Sequence, residues 1–63
     1  MFWLDLYKYG KFVLRKEVQE DSFDDAIETA EREIKGLHCT SGRLVNIDDN
    51  RIAWRGYSQS VPY

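Results

Sequence analysis

His38 and Cys39 place a base next to a thiol in the sequence. A cysteine nucleophile needs its base within hydrogen-bond reach and a third group to orient that base, and adjacent residues do not normally aim their side chains at each other. No orienting residue is identifiable. The pair reads instead as a connection at a helix end, with Cys39 as a small half-buried residue. Asp48, Asp49 and Asn50 resemble the start of a calcium loop, but the glycine at position six and the closing glutamate are missing, so a turn is expected there. The four glycines are scattered and form no phosphate cradle. One cysteine and one histidine offer neither a disulfide nor the ligand set of a structural zinc. No catalytic activity, metal or other cofactor is expected.

What remains is the chemistry of binding, and charge sorts it. Between Glu20 and Lys35, Glu20, Asp21, Asp24, Asp25, Glu28, Glu31 and Glu33 face only Arg32 and Lys35. Elsewhere Lys8, Lys11, Arg15, Lys16, Arg43, Arg51 and Arg55 outnumber Asp5, Glu17, Asp48 and Asp49. The net charge of -2 therefore hides one acidic segment and a basic, aromatic remainder. Opposite surface charges give two independent ways to capture a partner.

The elements that position these residues follow from periodicity. Residues 2–7 and 11–19 alternate as strands. A three-residue loop of Lys8, Tyr9 and Gly10 would pair Leu6 with Phe12, Leu4 with Leu14 and Phe2 with Lys16, leaving Trp3 opposite Arg15 and Asp5 opposite Val13. Ser22 is placed to cap a helix over 23–35, with Asp25 three residues on as a weak capping box. Phe23, Ala26, Ile27, Ala30 and Ile34 form its apolar stripe. Gly36 is placed to close it in a left-handed conformation, with Leu37 packing back over the last turn. Residues 44–47 and 52–55 are expected to form a second hairpin pairing Ile47 with Ile52 and Val45 with Trp54, with a turn through Asp48 to Arg51. Residues 58–63 read as a loosely held tail, tethered by Tyr57 or Tyr63.

The order strand, strand, helix, strand, strand predicts an α+β domain over residues 1–57, one helix on one face of an antiparallel sheet. Placing the first and third strands side by side keeps that sheet antiparallel. Such a small chain has one core and depends on packing for its stability. The free thiol, the lack of a signal-peptide pattern and the absence of a run of about 20 apolar residues predict a cytoplasmic protein with no membrane partner.

The run from Val18 through Ser22, Phe23, Asp24, Asp25, Ala26 and Ile27 to Glu31, after a strand hairpin and before a further strand, is similar to small phage proteins that inhibit host machinery. It resembles in particular the podovirus-type inhibitors of bacterial RNA polymerase, built as a short sheet with one helix. The stretch Ser22 to Ile27 also resembles the strand-to-helix junction of HicB-type antitoxins. About half of the chain is covered. The resemblance implies a phage or mobile-element inhibitor of a host macromolecular machine.

Two binding surfaces are thus expected. On the helix, Asp21, Asp24, Asp25, Glu28 and Glu31 would meet a basic site on a larger protein; Glu28 with Arg32 and Glu31 with Lys35 are the four-residue pairs available to neutralise it. An exposed strand edge is a second way to the same partner. On the uncovered sheet face, Trp3, Tyr7, Lys11, Val13, Arg15, Leu44, Asn46, Ala53 and Arg55 are expected to gather. There Trp3, Tyr7, Arg15 and Arg55 offer an alternative, the binding of single-stranded nucleic acid by stacking and phosphate contact. Closure of this face by a second copy would give a homodimer.

Overall fold

The computed structural model describes residues 1–58. The protein is an α+β domain in which β1 (Phe2–Lys8), β2 (Lys11–Val18), α1 (Phe23–Gly36), β3 (Ser41–Asn46) and β4 (Ile52–Tyr57) follow one another. The four strands form one antiparallel sheet in the order β2-β1-β3-β4. The first and third strands are adjacent, as the sequence suggested. β1 and β3 occupy the centre; β2 and β4 are edges.

One face of the sheet packs on the helix. Phe2, Leu4, Leu6, Val18 and Leu44 from the strands meet Ala26, Ala30 and Ile34 from α1, with Cys39 closing the end of the cluster. Leu4, Leu6 and Leu44 are fully buried, and each contributes about 1.5–3 kcal/mol through burial. The helix comes close because its inner face is small. Ala26 and Ala30 allow the approach, and at Gly42 a Cβ would stand 2.9 Å from Ile34 Cδ1. A side chain at Gly56, the partner of Gly42 across β3 and β4, would collide with the Trp54 ring. Both glycines therefore belong to strands because something packs on them. The expected hairpin of residues 44–47 and 52–55 is accordingly longer at one end, starting at Ser41 and finishing at Tyr57.

The first hairpin differs from expectation in its turn and in the faces at the start of β2: Phe12, expected opposite Leu6, lies opposite Tyr7 on the open face and is exposed, and Lys11, expected on that face, pairs with Lys8, while the faces from Leu14 onward are as expected. Tyr9 (φ 51) and Gly10 (φ 80) form a two-residue loop, the doubly left-handed turn that suits strand twist. Tyr9 tolerates this conformation because its N–H donates to Thr40 Oγ1 at 2.9 Å, while the Thr40 N–H donates to the Tyr7 carbonyl at 3.0 Å. Tyr7 then pairs with Phe12, and a bulge at Val13 restores the alternation, giving Leu6 with Leu14, Asp5 with Arg15, Leu4 with Lys16 and Phe2 with Val18. A two-residue loop without the bulge would have turned Leu4 and Leu6 toward charged neighbours.

The second hairpin is corrected more deeply. Ile47 lies in the turn, and Val45 pairs with Ile52 and Leu44 with Trp54, with Ala53 as the extra residue. Leu44 and Ala53, expected on the open face, lie in and against the core, and Val45 and Ile52, expected in the core, stand in one row with Trp3 on the other face. Asn46 is opposite Phe2 and so falls on the helix side. Asn50 (φ 59) and the Asn46 N–H to Arg51 carbonyl bond at 2.8 Å close this turn.

At the helix start Ser22 has extended cap geometry but makes no side-chain cap bond. At the other end Gly36 remains helical, Leu37 is the cap residue and His38 (φ 56) takes the left-handed position expected of Gly36. Leu37 stays exposed instead of packing back. The tail expected over residues 58–63 lies, beyond Ser58, outside the described residues. Ser58 donates its N–H to the Thr40 carbonyl at 2.9 Å. Among the described residues no helix is long and apolar enough to cross a membrane.

Candidate functional site: two charged surfaces

The face of the sheet turned away from α1 is ordered by strand register into three rows. Phe12, Tyr7, Ser41 and Tyr57 face one another across β2, β1, β3 and β4; Arg15, Asp5, Arg43 and Arg55 make the next row; Glu17, Trp3, Val45 and Ile52 make the third. An ionic row thus runs between two that are mainly aromatic and aliphatic. Among the described residues no second layer covers them.

Asp5 is the hub. It is 1% exposed, and such a carboxylate is tolerated only when it is paired and hydrogen-bonded. Arg15 supplies a bidentate contact, Nε to Oδ1 at 2.6 Å and Nη2 to Oδ2 at 2.9 Å. Arg43 Nε adds a longer contact to Oδ2 at 3.4 Å. The hydrogen bond from Arg15 is the main reason that the carboxyl titrates below its ordinary range; burial acts in the opposite direction, and the charge of Arg15 and the bond from Arg43 reinforce the lowering. The same bond raises Arg15. Among the described residues every buried side-chain nitrogen or oxygen has a hydrogen-bond partner.

The two arginines also cover aromatic rings. The Arg15 guanidinium stands 5.5 Å from the Trp3 ring centroid, and that of Arg43 stands 5.4 Å from Tyr7. Tyr7 in turn meets Phe12 edge to face at 5.9 Å. Of the four residues named for nucleic-acid binding, Trp3, Tyr7 and Arg15 are therefore committed to one another and to Asp5 or Arg43. The expected Trp3 and Arg15 contact is present as a diagonal neighbour, with Glu17 directly opposite Trp3. Arg55 is exposed and stands directly opposite Arg43. Among the described residues it has no ion-pair partner.

The acidic helix is organised differently. Asp21, Asp24, Asp25, Glu28 and Glu31 are all exposed, and among the described residues none takes part in an ion pair. Neither Glu28 with Arg32 nor Glu31 with Lys35 closes. Glu33 binds Lys16 of β2 at 2.9 Å, and Glu20 accepts from the Thr29 hydroxyl at 2.9 Å. Glu33 thus holds the helix to the sheet and Glu20 holds it to the connection that precedes it; the five outer acids are left to solvent.

Cys39 is buried more completely than its sequence position implied, at 1% exposure, and His38 beside it is exposed. Asp49 accepts the Arg51 N–H at 3.0 Å within the turn. Sequence reasoning missed the Asp5 hub because it placed Asp5 opposite Val13. The available signal was an acid at a mid-strand position with two arginines in neighbouring strands. Comparison of the chain with protein-family models, with curated proteins and with solved structures yields no match.

Proposed function

We propose that this protein is a non-enzymatic protein-binding module that docks the outer surface of α1 onto a basic site of a larger partner. The observation that carries this reading is the availability of Asp21, Asp24, Asp25, Glu28 and Glu31, exposed and without ion pairs among the described residues. Unpaired carboxylates of one sign on a rigid helix raise encounter rates with a cationic patch and set the orientation of docking. The likeness to phage inhibitors adds a class of partner, a macromolecular machine of a host. The nucleic-acid reading is weaker, since bases would have to displace arginine from Trp3 and Tyr7 before stacking.

The test is capture from a bacterial extract at increasing salt, with the bound proteins identified by mass spectrometry. Wild type is expected to retain a basic partner at low salt and release it as salt rises. The triple variant Asp24→Lys, Asp25→Lys, Glu28→Lys is expected to lose it while keeping its circular dichroism spectrum. Undiminished capture by the folded triple variant overturns the proposal. Tryptophan quenching by an oligothymidylate that is abolished by Arg55→Glu would favour the alternative.

A further inference from the structure

We infer that the open sheet face is a second docking surface, on which Arg43 and Arg55 receive the carboxylate of an extended acidic peptide segment from a partner. Three observations support this occupant. The first is charge. The ionic row holds three guanidinium groups, Arg15, Arg43 and Arg55, against the single carboxylate of Asp5. Arg15 takes the short bidentate contact, Arg43 has only the 3.4 Å contact, and Arg55 stands opposite Arg43. Like charges directly opposed across strands are destabilising, and an incoming anion between them removes that repulsion. Arginine forks match a carboxylate in shape as well as charge.

The second is relief. Tyr7, Ser41, Arg43, Arg55 and Tyr57 line a shallow depression of about 230 Å³, in which Ser41 is the small residue between two tyrosines of its row. The third is spacing. Along β3, where Ser41, Arg43 and Val45 follow one another in unbroken register with β1, successive rows are two strand residues apart, about 6.6 Å, the repeat at which an extended peptide places alternate side chains on one side. A peptide lying along β3 and β4 would therefore meet the rows as apolar, acidic, apolar: one side chain by Tyr7 and Tyr57, a carboxylate at Arg43 and Arg55, one side chain by Val45 and Ile52.

The same features disfavour other occupants. A second copy stacked face to face would bring two rows of excess positive charge together. Nucleic acid would find the faces of Trp3 and Tyr7 already covered by guanidinium. This surface lies on the side of the sheet away from α1 and is independent of the helix proposal.

The experiment is a titration of isotope-labelled full-length protein followed by amide chemical shifts. The probe is a synthetic peptide with the core Leu-Ser-Glu-Ser-Leu, taken to millimolar concentration. Saturable shifts are expected at Ser41, Arg43, Arg55 and Tyr57. They should be reduced at least tenfold in apparent affinity by Arg55→Glu, weakened by Arg55→Gln and absent with a peptide carrying lysine in place of glutamate. Both variants are checked for unchanged β-sheet signals elsewhere. Four results overturn the inference: no shifts with the glutamate peptide, equal shifts with the lysine peptide, stronger shifts at the same amides with an oligothymidylate, or shifts that depend on protein concentration alone.

Discussion

The helix and the open sheet face both carry dense charge, yet they use it in opposite ways. On the sheet, Arg15 and Arg43 are drawn onto a buried Asp5 and lie over Trp3 and Tyr7. That charge is part of the packing, and Arg55 is the one member of the row left outside the network among the described residues. On the helix the five outer carboxylates touch no cation among the described residues, and the helix is held by apolar contacts on its other side. Ionic side chains in a small domain thus divide into those that replace a second covering layer and those kept free. The difference predicts how far each substitution propagates.

The scale is set by the core beneath both surfaces. Leu4→Ala, at a position with no exposure, should cost about 2–5 kcal/mol and leave little folded protein. Leu14, expected opposite Leu4, and Ile27, expected in the apolar stripe of the helix, read as core positions in the sequence. Both are only partly buried, so their alanine variants should melt well above Leu4→Ala. If Leu14→Ala and Leu4→Ala melt together in thermal unfolding, Leu14 on the edge strand is as much a part of the core as Leu4, and the difference in burial between them is wrong.

Asp5→Ala is the next largest effect and the sharpest test of locked charge. It leaves Arg15 and Arg43 facing each other without their shared acceptor and should cost about 1–3 kcal/mol. The same hub fixes the response to acid. Asp5 has a lower affinity for protons in the folded state than its ordinary value of 3.8, so the unfolded chain binds the proton more readily. Its stabilisation is complete above that value and is lost as pH falls below it through the folded-state pKa. Denaturant midpoints measured between neutral pH and strong acid should fall more steeply for wild type than for Asp5→Ala. Parallel curves would show that the hub contributes nothing.

The order of the elements and the alternation of β1 were legible because Leu4, Leu6 and the helix stripe keep their periods, whereas Phe12, Leu44 and Val45 were each assigned to the wrong face. Turn length was not legible, since the loop at Tyr9 is held by Thr40, a residue 31 positions away. The bulges at Val13 and Ala53 were equally hidden; a single extra residue changes every later pairing without altering composition. Gly42 and Gly56 fell outside the expected strands of residues 44–47 and 52–55, whereas tertiary contact with Ile34 and Trp54 makes them strand residues. The acidic surface was visible in the residues themselves. The Asp5 network required the register to be known.

Arg55→Glu is expected to move stability in the opposite direction from most surface changes. It replaces a like-charge opposition to Arg43 with an attraction, a gain of about 0.2–1 kcal/mol, while removing the docking of an acidic peptide. A rise in melting temperature together with lost peptide shifts would identify Arg55 as a residue retained against stability. A fall would mean that Arg55 has a structural partner.

The smallest effects belong to the helix. Glu28→Gln and Glu31→Gln touch no ion pair and lie beyond the first turn, where the helix dipole acts most strongly. Each should stay within about 0.5 kcal/mol of wild type. Their value lies in that near silence, because any weakening of partner capture in the doubly substituted protein is then a loss of contact and not of fold. The contrast with Asp5→Ala is the decisive one. If neutralising Glu28 and Glu31 destabilises the protein as much as removing Asp5, the helix charge is structural too, and the division between locked and available charge fails.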